Sequence, residues 1–588
     1  GYPAFRLWYN PWMFALHEPI DALLRDELKE YDDLTAALLA RRGVKSREEA
    51  AAFLSPSYDE HIGDPMKILN MPKAAARVAK AINDGERITV WSDYDCDGIP
   101  GGVVLHDFLK KAGANFTNYI PHRHLEGYGV SVSGVEKLAL EGTTLLITVD
   151  CGITDVESIG RAHELGMDVI LTDHHLPQNE AEGGLPKAFA VIDPKQEGET
   201  NEFREFCGGG LAWKLACAVL AHGFTGRENI QEGWEKWLLD MAGLSTIADM
   251  VPLTGENRVI AKYGLMVMRK SPRIGFQKLL KNARVNQRFI TEEDVGFMIA
   301  PRVNAASRMG NPRDAFELFT TEDEVRADAL AKELEKINRS RRAVAGAITK
   351  AAHERLEERK LKGELPPVIA LGDPDWRPGL LGLVANTLAE EYERPVFLWG
   401  REGGTSLKGS CRAGVPGVSV VDIMAGASDT FAGFGGHRAS GGFTVKDDMV
   451  FFLEEKLNES YAKLPPAEDA IEAFADAELS ALHTTDALLS RLSKLAPFGM
   501  GNEKPVFAFR QVRISRVSWF GKSEEHLKVS ITTDGFDSLE GIAFYAKREL
   551  GPKVKSLESG TEANILASLE RDQFTKGRPI RLRLISLT

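Results

Sequence analysis

Four apolar runs in the first half of this chain each end in a carboxylate or an imidazole. Ile88-Thr89-Val90 leads to Asp93-Tyr94-Asp95-Cys96-Asp97-Gly98, and a run ending at Val149 leads to Asp150-Cys151-Gly152. Val169-Ile170-Leu171 leads to Asp173-His174-His175, and Ile247-Ala248 leads to Asp249. The pattern predicts helix 72–83, strand 87–92, helix 101–112, strand 144–149, helix 155–165 and strand 168–172. A short strand 188–192 and helices 209–222 and 233–246 follow. Strands spaced by helices of this length imply a parallel sheet with right-handed crossovers. Ligands of such sheets bind beyond the carboxyl ends of the strands. The pattern therefore predicts Asp93, Asp150, Asp173 and Asp249 at one edge, each just after a strand.

A chain of 588 residues is too long for one core and implies three or four domains. No apolar run reaches the length of a membrane span. Five cysteines, odd in number and without a CxxC pair, argue against a disulfide framework or zinc knuckle and fit a reducing cytoplasm. The net charge of −13 looks wrong for a nucleic-acid enzyme. Residues 505–588, however, carry 14 Lys and Arg against 10 Asp and Glu. Phosphate contact is local, so a basic groove can exist on an acidic protein.

The reading is a multidomain α/β chain. Residues 1–75 form an N-terminal helical segment, and 76–320 hold the parallel sheet. Residues 321–362 form a long connecting helix, whose narrow apolar stripe runs through Leu330, Leu334, Ile337, Val344 and Ile348. A second α/β domain spans 363–465. Residues 466–588 carry about five short strands, which predict a small β-barrel of the OB type.

Asp93 and Asp95, two apart at a strand end, can point the same way. Alone, Asp-x-Asp is more often a solvated turn. The other carboxylates change the balance, because Asp93, Asp95, Asp97, Asp150, Asp173 and Asp249 together would be costly without cations. Two divalent ions would neutralise most of that charge. Oxygen ligands with one or two imidazoles suit Mn²⁺ or Mg²⁺ better than zinc. Such a pair activates water and stabilises an in-line phosphoryl displacement.

These motifs resemble the DHH phosphoesterase family, and the whole chain is similar to its branch of single-strand exonucleases. Arg41-Arg42-Gly43, Phe53-Leu54 and Asp64-Pro65 fit that branch's first segment. Glu126-Gly127-Tyr128-Gly129, Cys207-Gly208-Gly209-Gly210 and Thr246-Ile247-Ala248-Asp249 follow in order, and the run from Arg302 to Arg308 closes the DHH domain. Trp376 to Gly382, Lys408 to Arg412 and Gly435-Gly436-His437 fit the DHH-associated domain. Pro497 to Asn502 fits the start of the OB domain. Ser92, Ile99-Pro100, Asp193-Pro194 and Arg377 depart from the family's usual residues without removing a ligand.

The resemblance implies metal ligation by Asp93, Asp95, Asp150, His174 and Asp249, with Asp150 bridging two ions. It places His175 at the scissile phosphate and Asp97 and Asp173 beside the ligands. It implies a 5′→3′ exonuclease that degrades single-stranded DNA to mononucleotides by two-metal hydrolysis, in repair and recombination. Arg302, Asn304, Arg308, Ser410, Arg412, Gly436 and His437 are the candidates for gripping the strand and its terminal phosphate. Arg is suited to that work because it grips phosphate bidentately; a structural ion pair is the alternative for Arg302. Trp519, Phe520 and Tyr545 could stack on bases or fill the barrel core. A single-strand-binding protein and a RecQ-type helicase are the expected partners, and a cytoplasmic monomer the expected state. An oligonucleotide-scavenging relative, a catalytically dead scaffold and an inorganic pyrophosphatase are the rival readings. Residues 470–588, the intact ligand set and Gly435-Gly436-His437 argue against them in turn.

Overall fold

A computed structural model describes residues 15–587, apart from 124–125, 180–182, 364, 402–403, 405, 466–473, 522–523, 533–538, 551–553, 555 and 573–574. Its first domain is built on a five-stranded parallel sheet. In spatial order the strands are Phe116–Tyr119, Ile88–Ser92, Leu145–Val149, Asp168–Thr172 and Ala190–Ile192. Strands Ile88–Ser92 and Leu145–Val149 are buried throughout. That is why they read as continuous apolar runs rather than alternating ones. The chain leaves Ile88–Ser92 for the outer strand Phe116–Tyr119 and returns to Leu145–Val149 on the other side. The order of connection reverses there, so a crevice opens at the carboxyl ends of these two strands.

Helices Met71–Asp84, Gly98–Lys111 and Gly208–His222 pack in the same core as the sheet. Gly101 and Gly209 let two of them nearly touch: a Cβ on Gly101 would lie 3.0 Å from the Gly209 Cα. Helices Gly255–Met268, Ile274–Ala283, Ala300–Met309 and Pro312–Thr320 complete the domain, in a region to which the sequence pattern assigns no elements.

Helix Glu324–Lys362 runs between two cores. Leu330, Ala331 and Leu334 pack into the first domain, whereas Ile348, Ala352 and Leu356 pack into the second. The second domain is a mixed five-stranded sheet ordered Phe431–His437, Ser440–Val445, Leu407–Arg412, Val396–Gly400, Ile369–Asp373. In the last domain, Phe507–Phe520, His526–Thr532, Leu539–Ala543, Ile580–Leu587 and Glu562–Arg571 pair around a closed barrel.

The N-terminal segment does not stand alone. Leu28, Ala36, Leu38, Leu39, Val44 and Ala50 share one core with the barrel, and Ala15–Leu16 pairs with Phe474–Ala475. Ile68 and Met71 belong instead to the first domain. Arg258 fastens this junction: its buried guanidinium donates to the carbonyls of Phe53, Lys494, Leu495 and Ala496. Among the described residues no helix is long and apolar enough to cross a membrane.

Candidate active site

Asp93 and Asp150 emerge side by side from adjacent strands, and Asp173 follows the next strand. Backbone hydrogen bonds continue the sheet past each strand end, from Asp93 N to Val149 O, Asp150 N to Thr172 O and Asp173 N to Ile192 O. Asp150 then turns at φ 62°, a left-handed conformation that Asp tolerates better than most residues and that recurs at functional sites. Asp249 needs a correction. It does not follow a strand; it caps the C-terminus of helix Leu239–Ala248. The helix delivers its carboxylate to the same place, with Oδ2 3.7 Å from His174 Nε2.

Metal-ligating atoms converge in overlapping groups. Asp93, Asp95 and Asp150 form one; Asp97, His174 and Asp249 form another; Asp150, His174 and His175 form a third. His174 Nε2 lies 3.2 Å from Asp150 Oδ1 and 3.4 Å from Asp97 Oδ2. Asp150 thus stands between the first two groups. Asp97 is held by the N-terminus of helix Gly208–His222, accepting from Gly208 N (2.7 Å) and Gly209 N (2.8 Å). A helix N-terminus suits a carboxylate there.

Donor chemistry and electrostatics fit divalent cations. Burial, reinforced by neighbouring carboxylates, pushes Asp93 and Asp150 well above the usual carboxylate range and Asp249 up to about 9. Asp93 Oδ1 and His174 Nδ1 are buried without a hydrogen-bond partner. Burial also lowers His174, keeping its imidazole neutral and available as a ligand. Oxygen donors with imidazole suit manganese or magnesium.

His175 is different. Burial lowers it, but the hydrogen bond from its Nδ1 to Asp173 Oδ1, at 2.7 Å, and the charges of Asp173, Asp97 and Asp95 together outweigh that and raise it. Asp173 is buried too, yet accepts from His175 Nδ1 and from the backbone of Ile153, His174 and His175, and is held low. Asp173 therefore orients the His175 ring and holds the backbone of both histidines.

Tyr128, which enters the sequence reading only as part of a motif, reaches His175 Nδ1 and Asp150 O, each at 3.2 Å. Asp155 sets its loop, accepting from Val130 N at 2.6 Å. Gly129, at φ 81°, leaves the room: a Cβ would lie 2.4 Å from Asp155 Oδ2.

Within electrostatic reach of Asp93 and Asp95 lies an arginine cluster. Arg308 donates to Gly379 O, at the start of helix Pro378–Tyr392. Burial and then Arg123, Arg341 and Arg412 press its guanidinium down to about 10. Arg412 also lies over that helix, 3.1 Å from where a Gly382 Cβ would be, and burial lowers it. Ser410 and Arg412 share one strand, and His437 pairs with Ser440, which pairs with Arg412. Gly436 allows the hairpin's close crossing, since a Cβ would lie 2.4 Å from Ser440 O. Arg123 and Arg341 carried no signal in the sequence.

Two candidates move. Arg302 is buried in an ion pair with Glu335 (2.7 Å) and donates to Met298 O, so it holds the long helix rather than facing the cleft. Asn304 accepts from Cys96 N at 2.8 Å, supporting the loop that carries Asp95 and Asp97. In the barrel, Trp519 packs against the core with Lys547 5.2 Å from its ring. Phe520, His526, Phe544 and Tyr545 form an aromatic group at its rim, and Tyr545 is half exposed.

Comparison with known proteins agrees with this architecture. Residues 87–246 match the DHH family N-terminal domain, 365–464 the DHHA1 domain and 475–586 the RecJ OB domain. The chain is 33% identical over 554 residues to the single-stranded-DNA-specific exonuclease RecJ of Bacillus subtilis, covering 94% of this chain and 67% of that protein. It is 28% identical to RecJ of Escherichia coli, over 95% of this chain and 98% of the other. Among solved structures, RecJ from Thermus thermophilus in complex with Mn²⁺ superposes with a TM-score of 0.78 at 26% identity. That match spans 98% of this chain and 78% of the other. The corresponding Mg²⁺ complex gives 0.73 at 25% identity, over 97% and 77% of the two chains.

Proposed function

Because the chain belongs to the RecJ family of single-stranded-DNA-specific exonucleases, we propose that it degrades single-stranded DNA from the 5′ end to mononucleotides. The reaction site in this reading is the cleft between the parallel-sheet and DHHA1 domains. One observation carries the reading: metal-ligating groups meet at Asp150, and Arg308, within electrostatic reach of both Asp95 and Arg412, stands beside them.

Asp93, Asp95 and Asp150 would hold one cation. Asp97, His174 and Asp249, with Asp150 shared, would hold the other. When bound, manganese or magnesium supplies charge neutralisation and water activation at the scissile phosphodiester. His175 has Nδ1 committed to Asp173, which leaves Nε2 to meet a phosphoryl oxygen and favours a proton on the ring as charge develops there. Tyr128 holds that ring against the backbone of Asp150. Arg308, Arg412 and Ser410 receive the 5′-terminal phosphate beside the N-terminus of helix Pro378–Tyr392, a setting that favours anions. His437, on the hairpin strand beyond Ser440, extends that surface. The barrel, with Phe520 and Tyr545 at its rim, receives bases further along the strand.

The wider reading is a repair and recombination enzyme. It works as a monomer on strands supplied by a RecQ-type helicase and a single-strand-binding protein, by family analogy. Five cysteines outside disulfides support a reducing cytoplasm.

The test uses 5′-phosphorylated, 3′-labelled single-stranded DNA with Mn²⁺ or with EDTA. Stepwise shortening from the 5′ end that EDTA abolishes supports the reading. Shortening from the 3′ end, or cleavage confined to dinucleotides, overturns it.

A further inference from the structure

One helical segment links all three domains, and its first turns take no part in the site just described. At its start, Glu292 accepts from Phe498 N at 3.1 Å and Glu293 pairs with Lys504 at 3.0 Å, both residues of the barrel domain's approach. At its end, Arg308 reaches Gly379 of the DHHA1 domain. In between, Asn304 touches the metal-ligand loop through Cys96 N. Val295, Ile299, Val303 and Ala306 bury the opposite face in the first domain's core. The other face therefore runs from exposed Phe297 through half-buried Pro301, Asn304 and Arg308, at helical spacing of four, three and four.

Phe297 is 73% exposed. A single exposed aromatic ring is ordinary by itself; what distinguishes Phe297 is its place on this helix face. It sits in a π-helical turn, Val295–Ile299, a distortion that recurs at functional sites. Arg302 fixes this turn, donating to Met298 O while paired with Glu335 on the long helix. The ring is thus presented by a braced backbone, one turn inward from the barrel contacts.

We propose that Phe297 is a base-stacking step in the single-strand track, between the barrel and the metal site. The proposal rests on the exonuclease reading above. Its occupant is single-stranded DNA, because the same helix face continues into Arg308, a phosphate-seeking cation, and Asn304, which braces the metal loop. Base–aromatic stacking tolerates any sequence, as a degrading enzyme requires. The helical path from Phe297 to Arg308 spans about 16 Å at about 1.5 Å per residue. At about 3.4 Å per stacked nucleotide that distance takes at most about five nucleotides. A dinucleotide held at the arginines falls short of Phe297, and a twelve-nucleotide strand passes it.

The experiment compares kcat/KM for a 5′-phosphorylated dinucleotide and a 5′-phosphorylated dodecamer, with Mn²⁺, in the full chain and in Phe297→Ala, Phe297→Leu and Phe297→Trp. The preference of the full chain for the dodecamer is expected to fall at least about fivefold in the Ala and Leu variants, through KM, and to be retained in Trp. A preference within twofold of the full chain in Phe297→Ala overturns the proposal, as does a Leu variant that behaves like Trp. Thermal unfolding of each variant separates a lost step from a lost fold. Failure of the unsubstituted chain to shorten the dodecamer from its 5′ end would instead sink the exonuclease reading.

Discussion

The two walls of the cleft are opposites. The parallel-sheet wall crowds buried carboxylates that burial and mutual repulsion push toward protonation. The facing wall crowds arginines: burial presses Arg412 downward, and burial with neighbouring arginines presses Arg308 downward. Each wall alone is unfavourable, and the two partly offset each other, since Arg123 lowers Asp93 and Asp95 raises Arg308. Asp150 and Asp249 face His174, and Arg308 donates to the Gly379 carbonyl. One wall thus calls for cations and the other for anions, which metal ions and a DNA phosphate would supply together. Stability and function are in tension here, as at active sites whose charge is arranged in advance.

The largest expected effect comes from emptying the middle of the acidic wall. Asp150→Ala should lower exonuclease turnover at least about a thousandfold if, as proposed, it is a ligand shared by both metal positions. Cleavage kinetics at saturating Mn²⁺ check this, with circular dichroism to confirm the fold. Turnover within tenfold of the unsubstituted chain would break the comparison on its acidic side. On the basic side, Arg412→Ala should raise KM for 5′-phosphorylated strands about tenfold to a hundredfold, the scale of a lost charge-assisted contact. Strands with a 5′-hydroxyl should respond much less. An equal loss on both substrates would mean that Arg412 supports the fold rather than grips the phosphate.

Much of the acidic wall was legible in the sequence, and little of the basic wall was. Asp93, Asp150 and Asp173 follow continuous apolar runs, and a buried parallel strand makes such runs. Asp249 was also placed near the site, but on the wrong element. Ile247-Ala248 is too short a run for periodicity to separate strand from helix, and helix Leu239–Ala248 is buried on every side. Arg308 and Arg412 came from motifs, whereas Arg123 and Arg341 reach the cleft only through tertiary packing. Arg302 misled because its partner, Glu335, lies 33 positions away on the connecting helix. The N-terminal helices read as an independent segment, since nothing local reveals that Leu38 and Leu39 share a core with Phe507 and Phe509.

The walls should also separate by pH. Asp249, with a folded value of about 9 against an ordinary 3.8, binds a proton in the folded metal-free protein where the unfolded chain has lost it. Asp93 and Asp150 shift in the same direction. Between those limits the folded state holds more protons, so metal-free stability falls as pH rises from about 5 to about 8. Bound Mn²⁺ replaces the protons and removes the penalty. The Mn²⁺-induced rise in Tm should therefore be larger at pH 8 than at pH 6, and calorimetry should detect proton release on binding. A rise in Tm that is the same at both pH values would show that the carboxylates are already ionised without metal.

The smallest effect is the most discriminating for how the acidic wall is aimed. Tyr128 touches no ligand side chain; it bonds His175 Nδ1 and the backbone of Asp150. Asp173 already holds the same ring nitrogen more closely, at 2.7 Å against 3.2 Å. Tyr128→Phe keeps the ring, including its edge contact with Tyr94, and deletes only the hydroxyl. One neutral hydrogen bond is worth about 1 kcal/mol, so kcat should fall about fivefold with KM nearly unchanged. The pH dependence of kcat should move as well, because the hydroxyl helps set the environment of a titrating imidazole. Asp173→Asn, which removes the stronger partner, should cost more and shift the profile further. If the two variants cost the same, Tyr128 would aim His175 as firmly as Asp173 does, and the acidic wall would be held from its rim as much as from beneath.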